Sequence, residues 1–266
     1  MTEPTPPGPA PAEPAGSQAR RADLAARLAA VRDRIAAAAR AAGRPDLPEL
    51  IVVTKFFPAS DVRLLAGLGV RRVGENRDQE ASAKAAELAD LDLEWHFIGQ
   101  LQTNKARHVA RYAHAVQSVD RPQLVSALSR GVAAENQRRA GEGLPARSPL
   151  ECLIQVDLRS PAEHARDAGP AHRGGALPAD IGALAGLVDA AEGLRLGGLM
   201  AVAPLGADPA AAFARLAGLS AALRASYPGA DVVSAGMSQD LEQAVAAGAT
   251  HLRVGSDVLG PRPPLR

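Results

Sequence analysis

The chain has 266 residues, 47% of them hydrophobic, and a formal net charge of +1. That length and apolar content support one large α/β domain or two small ones and exclude a disordered chain, while near-cancelling charge gives no global attraction to nucleic acid or a membrane surface. The single cysteine, Cys152, excludes an intramolecular disulfide framework and a cysteine metal cluster, and its apolar neighbours predict a core residue in a reducing compartment.

Residues 1–16 are mostly Pro, Ala, Gly, Glu and Thr, with neither the basic start nor the apolar core of a signal peptide. They predict a disordered tail ahead of a folded unit at 17–266. A helix follows over 17–42, where Leu24, Leu28, Val31 and Ile35 recur at spacings of three and four. Short β-rich runs then alternate with helical stretches. The strand expectations are 50–54, 72–74, 95–99, 115–119, 151–157, 195–202, 231–235 and 251–255. The helices between them are expected at 59–68, 78–88, 103–112, 121–137, 179–192, 209–226 and 238–247. Gly, Pro and Arg mark 138–149 and 160–178 as loops. Eight such alternations predict a single (β/α)8 TIM barrel with an extra N-terminal helix; a doubly wound open sheet is the alternative, because periodicity does not establish closure. No run approaches the roughly 20 apolar residues needed to cross a bilayer, so the expected location is the cytoplasm.

Only three of the 30 basic residues are lysine: Lys55, Lys84 and Lys105. Lys55 stands where the first strand meets a loop. A lysine there either snorkels and pairs with an acid or, unlike arginine, offers an amine that condenses with a carbonyl to a Schiff base. Lys84 shares a helix with Glu80 and Glu87 on neighbouring turns and reads as solvated charge.

In a parallel barrel the active site lies at the carboxyl ends of the strands. Strand seven ends in Ser234-Ala235-Gly236-Met237-Ser238, where Ser238 is expected to cap the next helix behind a permissive glycine, forming an anion site. Gly255-Ser256 repeats the device after strand eight, the usual place for phosphate in such barrels; each pair could also be a plain turn with a cap. Asn76 and Asn104 fit a turn or cap equally well. His96 reads as a packed, hydrogen-bonded histidine in preference to a general base. The six histidines have no metal-ligand spacing, so no metal is expected. Arg253, projecting into the mouth, requires an anion, a ring-nitrogen acceptor or a neighbouring acid.

Several strings resemble the pyridoxal phosphate homeostasis protein family, also known as the proline synthetase co-transcribed homologues. They are Val53-Thr54-Lys55; Gly74-Glu75-Asn76 with Gln79-Glu80; Trp95 to Gly99 followed by Leu101-Gln102 and Asn104-Lys105; Gly198 to Ala201; Gly236 to Asp240; and Arg253 to Ser256. The resemblance runs from about Leu50 to Pro261. It implies a barrel of the alanine racemase N-terminal type holding pyridoxal 5′-phosphate (PLP) as a Schiff base on Lys55. It also implies that Ser238, Gly255 and Ser256, beside Met237, hold the phosphate, that Asn76 lies near the cofactor, and that Arg253 approaches the pyridine nitrogen. The implied role is PLP buffering and delivery to apoenzymes, without catalysis. A monomer is expected, although nothing in the resemblance sets the oligomeric state. Two departures stand out: Leu259-Gly260 after the last strand, and Arg173-Gly174-Gly175 where the family carries Lys-x-Gly.

Two enzyme readings compete. An amino-acid racemase needs a second acid/base group opposite the lysine, commonly a tyrosine from a further β domain. Tyr112 and Tyr227 instead fall in or at the ends of predicted helices, and little sequence follows the eighth strand. A phosphate-sugar enzyme would use Lys55 as a catalytic imine and bind no vitamin.

Overall fold

The computed structural model describes residues 15–159 and 174–261; the expectations for 1–14 and for most of the 160–178 loop, Arg173 included, lie outside them. Eight parallel strands form a closed barrel in sequence order: β1 (Glu49–Val53), β2 (Arg72–Glu75), β3 (Glu94–Phe97), β4 (Ala115–Val119), β5 (Leu150–Val156), β6 (Leu194–Ala201), β7 (Val232–Ser234) and β8 (His251–Val254). Closure is made by β8 pairing with β1, in the register Ile51 with Arg253 and Val52 with Val254. The open-sheet alternative is thereby excluded.

Helices connect the strands: α2 (Ala59–Gly67), α3 (Asp78–Glu87), α4 (Ala106–Tyr112), α5 (Pro122–Gly141), α6 (Ile181–Asp189), α7 (Pro209–Ser226) and α8 (Leu241–Ala246), with a short α9 (Ser256–Leu259) after β8. Their apolar faces pack on strands that are buried along nearly their whole length, as expected where helices cover a parallel sheet. Cys152 is buried at the centre of β5, a core residue as its neighbours predict.

The N-terminal helix, α1 (Ala15–Ala41), packs against α2, α8 and α9. Leu24, Leu28, Val31 and Ile35 are all buried, confirming the spacing argument. Arg20 clamps Asp61 of α2 and the Leu259 carbonyl, while Arg34 pairs with Glu242 of α8. Two boundaries differ from expectation. Helix α1 begins at Ala15, inside the expected tail, and α5 continues to Gly141, where Arg138 bridges Glu135 and Glu142 across adjacent turns.

Candidate functional site

The carboxyl ends of β1, β5, β6, β7 and β8 surround a cavity of about 990 Å³. Of the three lysines, Lys55 alone lines it. Because β7, β8 and β1 are consecutive around the barrel, Met237-Ser238, Gly255-Ser256 and Lys55 meet along one arc of the wall.

Both neighbours of Lys55 are tied down. Thr54 N–H donates to Gly74 O at 3.0 Å, and its carbonyl accepts from Lys84 Nζ at 2.9 Å. Phe56 N–H donates to Glu80 Oε1 at 2.6 Å, and Phe56 holds φ at 72°, an uncommon angle for a residue with a side chain. Lys84 Nζ also donates to Glu75 Oε1 and Glu80 Oε1, each at 2.7 Å, and Glu75 Oε1 accepts from Thr54 Oγ1. This corrects the expectation for Lys84. It is buried at 6% exposure, and its i,i+4 pairing with Glu80 turns inward because Nζ reaches Thr54, just past β1, and Glu75 at the end of β2. Burial pushes the Glu75 carboxyl above the usual range, against the pull of Lys84.

At β7 the chain turns on Gly236, whose φ of 89° would strain any other residue. Ser238 lines the cavity but does not cap the helix, which starts at Leu241 with Asp240 preceding it. Residues 238–240 form a turn instead, closed by Met237 N–H donating to Asp240 Oδ1 at 2.6 Å. Gly255 precedes α9 and approaches the first strand closely: a Cβ there would sit 3.1 Å from the Val53 carbonyl oxygen.

Arg253 is buried at the cavity. It pairs with no acid among the described residues: Nη1 donates to Ser234 Oγ at 2.7 Å and Nη2 to Ala201 O at 2.8 Å. Burial draws its pKa down to about 10, so it remains a cation near neutrality. Asn76 does not line the cavity; it is pressed against Gly99, where a Cβ would lie 2.4 Å from its carbonyl oxygen. Its Oδ1 is buried and has no hydrogen-bond partner among the described residues.

Asn104 is exposed and Lys105 half-buried in a short turn away from the cavity. His96 is packed and bonded to Gln117, as expected. Tyr112 reaches Asp78, and Tyr227 ends α7 beside Gly186; neither lines the cavity. Sequence reasoning missed the Asp157–Arg159 ion pair on the wall and the lining role of 202–207 after β6, where Pro204 and Gly206 mark a loop but not its place at the cavity.

Comparison with known proteins bears on these residues as a set. Residues 26–263 match the family model "Alanine racemase, N-terminal domain". The chain is 45% identical over 258 residues to a pyridoxal phosphate homeostasis protein of Mycobacterium tuberculosis (strain ATCC 25618 / H37Rv), covering 91% of this chain and 94% of that one. It is 34% identical to PipY of Synechococcus elongatus PCC7942, solved with PLP bound, with a TM-score of 0.71 over 89% of this chain and all of that one. An alanine racemase from Corynebacterium glutamicum shares the fold at 16% identity, with a TM-score of 0.59 over 92% of this chain and 63% of that one. With a closed barrel, a single lysine in its mouth and this degree of identity along nearly the whole chain, the protein belongs to the pyridoxal phosphate homeostasis protein family, within the alanine racemase N-terminal domain family.

Proposed function

We propose that the protein holds PLP as a Schiff base on Lys55 and serves intracellular PLP homeostasis, buffering the cofactor and releasing it to apoenzymes without turnover of its own. The observation that carries this reading is the restriction of the cavity to one lysine out of three. When bound, PLP supplies an aldehyde that condenses with an amine, with loss of one water.

The residues present fit that group. Ser238 and Ser256 offer hydroxyls on adjacent strand ends, and the close approach of Gly255 to Val53 leaves backbone at the wall where a side chain would intrude. Met237 is part of the same wall, 39% exposed. Arg253 is a donor without acceptor capacity, so against a ring nitrogen it favours the unprotonated ring, which is a weaker electron sink. Asn76, outside the lining and with an Oδ1 that has no partner among the described residues, would act on the cofactor indirectly, through its place beside the β2 end.

The absence of turnover in this reading is supported by the tyrosines. A racemase requires an acid/base group opposite the lysine, and Tyr112 and Tyr227 lie on the outer helices. Residues 17–266 act as one PLP-binding unit, a monomer in the cytoplasm. A buried free thiol suits a reducing compartment, and no described helix is long and apolar enough to cross a membrane.

Titration of the purified protein with PLP, followed by visible absorbance, tests the binding. The wild type should develop a Schiff-base band and Lys55→Ala should not; a band of equal strength in the variant would refute the assignment. Incubating the loaded protein with an apo PLP enzyme should restore that enzyme's activity, while free alanine should not racemise.

A further inference from the structure

A line of buried polar side chains crosses the barrel interior from the cavity. Arg253 Nη1 on β8 donates to Ser234 Oγ on β7, which donates to Gln117 Oε1 on β4, each at 2.7 Å. Gln117 Nε2 lies 3.0 Å from His96 Nδ1 on β3. All four residues are at most 4% exposed, so no bulk water competes for these bonds.

The direction of the line follows from donor inventory. Arginine only donates, so the Ser234 hydroxyl accepts from it and turns its own proton to the Gln117 carbonyl oxygen. The amide nitrogen then faces His96 with two protons, so Nδ1 must accept. The imidazole proton is therefore on Nε2 and the ring is neutral. Burial, the largest influence on this ring, also disfavours its charged form. Reversing the amide would point two donors, Arg253 Nη1 and Gln117 Nε2, at one serine oxygen and leave the serine proton without its acceptor. His96 Nε2 has no hydrogen-bond partner among the described residues, the nearest acid oxygen being Glu94 Oε2 at 3.9 Å.

We propose that Gln117 and the neutral, Nε2-protonated form of His96 are positioning residues that fix the placement and donor direction of Arg253 at the cavity. The consequence for a bound cofactor rests on the PLP reading above; the arrangement itself does not. The Ala201 carbonyl fixes Nη2, but Ser234 alone would hold Nη1 through a hydroxyl free to rotate. Gln117 removes that freedom, and His96 selects the orientation of Gln117.

Nitrogen NMR on the protein without cofactor decides the arrangement. Near neutral pH the His96 signals should report an Nε2–H tautomer, and the Arg253 Nη signals should be resolved by hindered rotation in the wild type and averaged in Gln117→Leu. His96→Leu should reproduce the loss, whereas His96→Asn, whose Oδ1 replaces Nδ1 as acceptor, should restore resolved signals. An Nδ1–H tautomer, or Arg253 signals unchanged in Gln117→Leu, would overturn the proposal. With PLP, all four proteins should load at Lys55, while Gln117→Leu and His96→Leu shift the absorption band and release PLP about tenfold faster, the loss of roughly one good hydrogen bond. Loading with an identical band and release rate in Gln117→Leu would also overturn it. Failure of the wild type to load would count against the cofactor reading instead, with the NMR result still deciding the line.

Discussion

Lys84 illustrates how a residue invisible to local patterning shapes the site. The spacing of Glu80 and Lys84 is that of an ordinary solvated helix pair, and nothing local reveals that the Lys84 ammonium ends on the Thr54 carbonyl, beside Lys55. Lys84→Met leaves the buried Glu75 without its counter-charge and should cost about 3–5 kcal/mol, measured by urea denaturation. The double variant Lys84→Met, Glu75→Gln should recover part of that loss. Gly236 is the opposite case, since its place in Ala235-Gly236-Met237-Ser238 announces a special backbone angle. An alanine there meets both a φ of 89° and the Ala244 methyl at 2.5 Å, so Gly236→Ala should lose about 1–3 kcal/mol and weaken PLP binding, measured by thermal melting and absorbance titration. Ser238 was legible as a residue of the strand-end mouth, where it lines the cavity, but it is not a cap, because the Asp240 carboxylate takes the Met237 N–H and the helix starts at Leu241.

Among the elements, strands and helices were legible where periodicity or composition marked them. Helix α1 is the plainest example: four branched apolar residues at helical spacing, all buried in the fold. Leu28→Ala should cost about 2–5 kcal/mol, seen as a lower denaturation midpoint, because α1 is held against α2, α8 and α9 through these side chains. Strand β4 shows the limit. All five of its residues are buried, so alternation cannot tell which side chains face the barrel interior, and Gln117 and Ser118 pass as two adjacent polar residues between apolar ones. Its role emerges only when β3, β7 and β8 bring His96, Ser234 and Arg253 alongside. Closure was illegible for a similar reason: the pairing of β8 with β1 joins segments some two hundred residues apart in sequence.

For the whole molecule, pH acts through the barrel's histidines. Burial is the largest cause lowering both His96 and His251, the latter to about 4. Between about pH 6.5 and 4 the unfolded chain binds more protons at His251 than the folded one. Stability is therefore full above 6.5 and falls through that window, by up to about 3 kcal/mol from His251 alone. Urea midpoints at pH 7, 5.5 and 4 should decline in that order; a flat profile would show these histidines to be protonated without cost. The whole-molecule claim is that one lysine, at the mouth of a closed barrel, carries the cofactor. Its most direct test is borohydride reduction of the PLP-loaded protein followed by peptide mapping: the account predicts pyridoxyl modification at Lys55, and modification at Lys84 or Lys105 instead, or none at all, would contradict it.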